Sequence, residues 1–421
     1  MADGTLLLTG SGRLLTPEPY IGELPWAIAV RDGVVTWVGA RRSAPAASAI
    51  IEFGGQLVTP GLVDAHSHPA WLGDRSDETA ARLGGEAYSG GGILRTVAAT
   101  RAGSDDALRA AIEARLGTAL ASGTTTLECK SGYGLSIEEE LRALRLIGEA
   151  AGSVPLRVVR TLLGAHAEPP EAESAEAYAR TVAEEMIPAV ATAGMAEFCD
   201  VFCDRGFFSL AATESILEAA RAHGLGMRMH ADQLARTGAT QLGVRLGVTS
   251  VDHLEQLDAA GVAALAGSGV VATLLPGPAV VMRGGLPPAR ALLDAGVTVA
   301  IASDANAGTF GSSSMPLVIG LAATLLGMTV AEAMAAATRG GAASLGLAGR
   351  RGVIAPGADA DLVAWDAEHE GAFALRLGDV RPLQVVVGGV EVRDPLVGGS
   401  GPGPSRRGII GAPTSPKEPH R

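Results

Sequence analysis

Histidine is scarce in this chain, with eight in 421 residues. Five of them (His66, His68, His166, His230 and His253) stand where an apolar run gives way to polar residues. His66 and His68 lie two apart, and on an extended segment residues i and i+2 point to one face, so both can aim at a single ion. Later runs end in His230-Ala231-Asp232-Gln233, Asp252-His253-Leu254-Glu255 and Ser303-Asp304-Ala305-Asn306. Three imidazoles with one carboxylate make a borderline donor set suited to one divalent ion, Zn2+ or iron. Such an ion lowers the pKa of a bound water toward ~7, which is the chemistry of hydrolysis at neutral pH. Histidines that merely fill a core would be scattered along the chain; these gather at the ends of runs.

The elements that must position them read as a (β/α)8 barrel of the TIM type. Eight apolar runs look like strands: Leu57–Ala65, Thr124–Cys129, Arg157–Leu163, Glu197–Phe202, Gly226–Met229, Thr249–Asp252, Val270–Leu275 and Val297–Ala302. Helical patterns lie between them. Apolar positions 108, 111, 112, 116, 119 and 120 have helical spacing within Ser104 to Ala121. Ser136 with Glu139, and Thr329 with Glu332, read as capping boxes opening two further helices. Active sites of such barrels form at the C-terminal ends of the strands, where the histidines fall. The rival is an open doubly wound sheet, but no Gly-x-Gly-x-x-Gly opens a helix after the first strand.

Both ends of the chain are β-rich. Asp32-Gly33 and Gly388-Gly389 each separate two apolar runs, a hairpin signal. The expected organisation is therefore a small composite β-sandwich from residues 1–58 and 352–396, a barrel over 59–351, and a disordered tail over 397–421, rich in Gly, Pro, Ser and Arg. Hydrophobic residues make up 47% and charged ones 19%, enough for a large core. A net charge of −12 with no basic stripe argues against nucleic acid or an anionic membrane as partner. The apolar stretch Pro316 to Met328 is short of the ~20 residues needed to span a bilayer. No positively charged segment precedes the first Leu run, and three cysteines (Cys129, Cys199 and Cys203) make no disulfide framework. A cytoplasmic location is expected.

Pro60-Gly61-Leu62-Val63-Asp64-Ala65-His66-Ser67-His68, followed by later run-end His, His and Asp, resembles the amidohydrolase superfamily. Within it, several segments resemble the imidazolonepropionase family. They are Gly73-Asp74-Arg75, Gly91-Gly92-Ile93, Lys130-Ser131-Gly132-Tyr133-Gly134, Leu163-Gly164-Ala165-His166-Ala167, His230-Ala231-Asp232-Gln233 and Asp304-Ala305-Asn306-Ala307-Gly308. The likeness runs from about 57 to 350 and more loosely into both ends. It implies a homodimeric hydrolase that opens the cyclic amide of 4-imidazolone-5-propanoate, giving N-formimidoyl-L-glutamate, in histidine breakdown.

The resemblance also implies roles. His66, His68, His230 and Asp304 hold the metal. Asp304 moves the proton, His253 stabilises the developing oxyanion, and Gln233 hydrogen-bonds the ring or the attacking water. Arg75, Tyr88, Tyr133, His166, Gln233, Asn306, Gly308 and Thr309 line the substrate pocket, with Arg75 as a bidentate clamp on the propanoate. Lys130 follows the second strand, whereas the lysine that bridges two metals in some relatives follows the fourth, so Lys130 is expected to be structural. Departures from the family pattern border the pocket mouth: a short stretch between Tyr88 and Gly91, Pro69-Ala70-Trp71-Leu72 after the histidine pair, Ala307, and Pro278 to Gly285. They leave open an amidohydrolase acting on a related small N-heterocycle. A non-catalytic barrel scaffold is disfavoured because every proposed ligand and His253 are present.

Overall fold

The computed structural model describes residues 4–16, 24–85 and 91–392. The chain begins with β1 (Leu6–Gly10), β2 (Trp26–Arg31), β3 (Val34–Ala40) and β4 (Ala49–Glu52), one sheet in the order β3-β2-β1-β4. The β2–β3 hairpin turns on Asp32 and Gly33, both at positive φ (52° and 76°), the conformation a two-residue hairpin needs. Next come β5 (Val58–Pro60) and β6 (Leu62–Asp64). The single strand expected over Leu57–Ala65 is thus two. β5 pairs with β14 (Leu362–Trp365) near the C-terminus, while β6 enters the barrel. Gly61 makes the break: a Cβ there would lie 2.1 Å from Thr125 Oγ1 on the neighbouring strand, so only glycine lets the backbone pass.

The remaining barrel strands are β7 (Thr124–Lys130), β8 (Arg157–Ala165), β9 (Phe198–Cys203), β10 (Gly226–Ala231), β11 (Ser250–His253), β12 (Val271–Leu274) and β13 (Val299–Ile301). β6 to β13 form one eight-stranded parallel sheet in sequence order, with helices between the strands. The seam between the first and last strands closes just past their ends. Ser67 bridges Ala305, His68 N donates to Ala305 O (2.9 Å) and Asp304 N donates to His66 O (2.9 Å). The seam is therefore made from the very segments that carry the histidine pair and Asp304.

Helix Asp105–Ala121 starts at Ser104, whose side chain accepts from Ala107 N, and buries Leu108, Ile112, Leu116, Ala119 and Leu120. The two capping boxes fare differently. Thr329 and Glu332 form both reciprocal bonds. Ser136 caps its helix, Ile137–Ala151, by accepting from Glu139 N, but the Glu139 carboxylate goes to Arg142 Nη1 (2.8 Å) because a full charge is the stronger partner.

At the far end, β14, β15 (Pro382–Val387) and β16 (Val390–Glu391) join β5 in a second four-stranded sheet. Leu8, Trp26, Ile28, Val30, Val35, Phe53, Val58, Leu362 and Val386 make a common core between the two small sheets. The three cysteines are buried and free. No helix among the described residues is long and apolar enough to cross a membrane. The expected tail over 397–421 lies outside the described residues.

Candidate active site

The ends of β6, β10, β11 and β13 bring His66, His68, His230, His253 and Asp304 together, all buried. His68 Nε2 lies 3.2 Å from His66 Nε2 and 3.2 Å from Asp304 Oδ1; His66 Nε2 is 3.6 Å from the same oxygen. His66, His68 and His230 each offer a ligand atom within 4.8 Å of the others, as do His66, His253 and Asp304. Bonds of ~2.0–2.1 Å to a tetrahedral ion would set donors about 3.3 Å apart, so this spacing fits a divalent metal.

Protonation fits as well. His66 Nδ1 is 2.7 Å from Asp252 Oδ2, and His230 Nδ1 is 3.1 Å from Asp200 Oδ1. An ionised carboxylate only accepts, so each Nδ1 is the donor there and Nε2 is left as the ring atom for an ion. Burial, with the Lys130 charge second, holds His66 well below the ordinary histidine pKa; burial also lowers His68 against the pull of Asp304. Neutral imidazoles are what an ion requires. His68 Nδ1 is buried with no partner among the described residues. Burial alone would push Asp304 up, but the His68 hydrogen bond and the surrounding imidazoles bring its carboxyl below the usual range.

His253 behaves differently. Burial pulls its pKa down, yet the Glu255 carboxylate, 3.3 Å from Nδ1, lifts it above the ordinary value. Its backbone is strained too. His253, Leu254, Asp304 and Asp232 all have positive φ (86°, 69°, 50° and 49°), at a cost of about 1–3 kcal/mol each. Such strain at the ends of three strands that meet around one pocket marks a built site.

The pocket is lined by His68, Arg75, Ile93, Tyr133, His166, Phe202, His230, Gln233, His253, Asp304, Asn306 and Thr309. Most of the expected contacts are therefore gathered in one place; Tyr88 lies outside the described residues. His166 Nδ1 donates to Gly132 O (2.8 Å), leaving Nε2 for the pocket, and burial first, then the neighbouring histidines, keep it neutral. Gln233 hangs on a loop fixed by Asp204, whose carboxylate accepts from the backbone N of Gln233, Leu234 and Ala235 (2.8–3.1 Å). Gln233 Oε1 is buried and has no partner among the described residues, an acceptor left for a ligand. Asn306 spends its amide within its loop: Nδ2 donates to Asp304 O and Thr309 Oγ1, and Oδ1 accepts from Gly308 N and Thr309 N.

Arg75 is buried, and its Nε–Nη2 edge is bidentate to Glu78 (both 2.8 Å). The fork edge first expected for a ligand is thus already engaged. Its guanidinium lies in a slot between two glycines, since a Cβ on Gly92 would come within 2.1 Å of Nη2 and one on Gly308 within 2.4 Å of Cζ. Lys130 sits at the barrel centre between Glu128 and Asp200, a buried cation rather than a metal bridge.

Sequence reasoning did not single out Asp200, Asp252, Glu255 or Glu78. Asp200 and Asp252 did leave a signal, a carboxylate inside an apolar strand run, which burial permits only when the charge is paired.

The Amidohydrolase family profile matches residues 57–392. The chain is 45% identical over 381 residues to imidazolonepropionase from Nocardia farcinica, covering 89% of this chain and 95% of that one. It is 48% identical to imidazolonepropionase from Salinispora arenicola, over 86% of this chain and 91% of that one. Among solved structures, a triazine hydrolase variant superposes with a TM-score of 0.75 at 19% identity, covering 94% and 96%. An adenosine deaminase from Xanthomonas campestris gives 0.70 at 21%, covering 92% of each chain. At those identities the structures speak to fold alone. The chain belongs to the amidohydrolase family and, within it, groups with the imidazolonepropionases.

Proposed function

We propose that this site hydrolyses the ring amide of 4-imidazolone-5-propanoate to N-formimidoyl-L-glutamate. The convergence of His66, His68, His230 and Asp304 beside a slotted arginine, in a chain 45–48% identical to imidazolonepropionases, carries the reading. His66, His68, His230 and Asp304 would hold one divalent ion, zinc or iron. When bound, it supplies Lewis acidity and a water that loses its proton near neutral pH.

The chain's own groups do the rest. Asp304, the acidic carboxylate of the cluster, takes the proton of the attacking water and passes it to the ring nitrogen as the C–N bond breaks and the C–O bond forms. His253, whose pKa Glu255 raises against the effect of burial, donates to the oxygen that becomes negative. The unspent amide of Gln233 and Nε2 of His166 orient the ring. Arg75 and Tyr133 take the propanoate. The loop shaped by Asn306, with Gly308 and Thr309, closes the same side of the pocket. The cytoplasmic, homodimeric form is part of this reading; the dimer rests on the family likeness, and light scattering on the purified chain checks it.

Ultraviolet loss of the imidazolone on adding the metal-loaded protein tests the substrate, with a carboxylate-free analogue and other five-membered cyclic amides beside it. Fastest turnover of the propanoate is expected. Preference for another ring would move the site to a different N-heterocycle while leaving the metal chemistry in place.

A further inference from the structure

Below the metal-facing imidazoles the barrel core holds five charged side chains with no solvent exposure: Glu128, Lys130, Asp200, Arg228 and Asp252. Such burial is costly unless every charge is paired, and here the pairing has a direction. Lys130 Nζ donates to Asp200 Oδ2 (2.5 Å), and Asp200 Oδ1 meets His230 Nδ1. Arg228 Nη2 donates to Asp252 Oδ2 (3.0 Å), which meets His66 Nδ1. Each histidine is thus oriented by a carboxylate, and each carboxylate by a cation. Glu128 joins the two chains. Lys130 Nζ donates to its Oε1 (3.0 Å) and lies 2.8 Å from Oε2, while Arg228 Nε meets Oε1 at 3.1 Å as an ion pair without hydrogen-bond geometry. Thr161 Oγ1 donates to Oε1 (2.6 Å) and fixes the carboxylate's rotation. Arg228 is further pinned by Ala65 O (2.8 Å) and by Ser344 O.

We propose that Glu128 is a positioning residue for the metal site, tying His66 and His230 into one rigid unit through Arg228–Asp252 and Lys130–Asp200. The proposal rests on the metal reading given above. Strand register makes the arrangement possible: Glu128 and Lys130 lie two apart on β7, as do Arg228 and His230 on β10, so both pairs face the barrel interior.

Zinc affinity of the metal-stripped full-length chain, measured by competition with a chromophoric chelator, tests this for wild type, Glu128→Gln, Asp200→Asn and the double variant. The visible spectrum of the cobalt(II) form is recorded beside it. Glu128→Gln should bind zinc ~10–100-fold more weakly and displace the cobalt bands. If Glu128 acts through Lys130 and Asp200, the double variant should lose less than the product of the single losses. A merely structural Glu128 would lower thermal stability equally with and without metal, leaving affinity and spectrum alone. Should Glu128→Gln fail to fold, Thr161→Val loosens the same carboxylate at nearly constant volume and should weaken zinc about three- to tenfold. Affinity within twofold of wild type, unmoved cobalt bands, or multiplying losses would overturn the wiring alone. Wild-type protein that binds no zinc or cobalt would instead overturn the metal reading, and the wiring with it.

Discussion

In the proposed mechanism His253 serves the chemistry and Arg75 the specificity of this site. His253 shares a ligand-distance group with His66 and Asp304, yet its Nδ1 is committed to Glu255 and its pKa is lifted while those of His66 and His68 are lowered. A group that holds its proton more tightly is a poorer ligand and a better oxyanion partner. His253→Ala should therefore keep about one metal per chain while losing ~10²–10⁴ in kcat. Metal analysis and single-turnover kinetics on the same sample check this, and parallel loss of metal would make His253 a ligand. Arg75→Met should cost about ten- to a hundredfold in kcat/KM with the propanoate substrate, the worth of one charge-assisted contact. Lysine should rescue little, because a point charge cannot reproduce the planar fork. The loss should vanish with an analogue lacking the carboxylate; equal damage to both would assign Arg75 to the fold.

At the scale of elements, loops at the strand ends are built by side chains that never reach the ligand. Asp204 gathers three backbone N–H groups to set Gln233, and Asp232 accepts from Thr237 N (2.9 Å) and Thr240 Oγ1 (2.6 Å) to hold the following turn. The Pro69-Ala70-Trp71-Leu72 stretch, one of the departures from the family pattern, is anchored by Arg115. Its guanidinium donates to Pro69 O and Trp71 O (both 2.7 Å) and lies 3.6 Å from the Trp71 ring centre. The slot around Arg75 is the most exacting of these devices. Gly308→Ala would set a methyl against the guanidinium and push it from the pocket. KM for the propanoate should rise about tenfold or more, the loss of one charge-assisted bond, with kcat changed less. Steady-state kinetics beside a thermal melt decide it. A fall in melting temperature with unchanged KM would mean that the loop, not Arg75, absorbs the methyl.

For the molecule as a whole, metal and fold are coupled by mass action without depending on each other for existence. The apolar core between the barrel strands and the surrounding helices is large, so chelation should leave the far-ultraviolet circular dichroism intact. Saturating metal should stabilise the folded state by about 4 kcal/mol at a thousandfold excess over Kd, seen as a melting temperature that climbs with metal concentration. A melting temperature indifferent to metal, or a stripped protein without secondary structure, would contradict that picture. His66→Ala should abolish the dependence while keeping the fold.

What could be read from the chain alone was whatever depends on near neighbours. Apolar runs placed eight strands and helical spacing their helices, Ser104 and Thr329 marked helix starts, and the two-residue spacing of His66 and His68 put both on one face. Those signals are local because side-chain direction repeats every two or 3.6 residues. The split of Leu57–Ala65 at Gly61 was not legible, since it arises from a steric contact with Thr125, 64 residues along. Nor was the engagement of Arg75 by Glu78, since a pair three apart on a helix start looks like any surface ion pair. The partners of the metal-facing histidines were beyond reach for the same reason on a larger scale: Asp252 is 186 residues from His66, and Asp200 is 30 from His230. Barrel closure decides them. By joining the end of the first strand to the end of the last through Ser67 and Ala305, it sets His66 and His68 beside Asp304 and turns charges that look anomalous inside apolar runs into a paired interior. A buried charge persists only where a partner meets it, and which partner meets it is fixed by strand order and register in three dimensions.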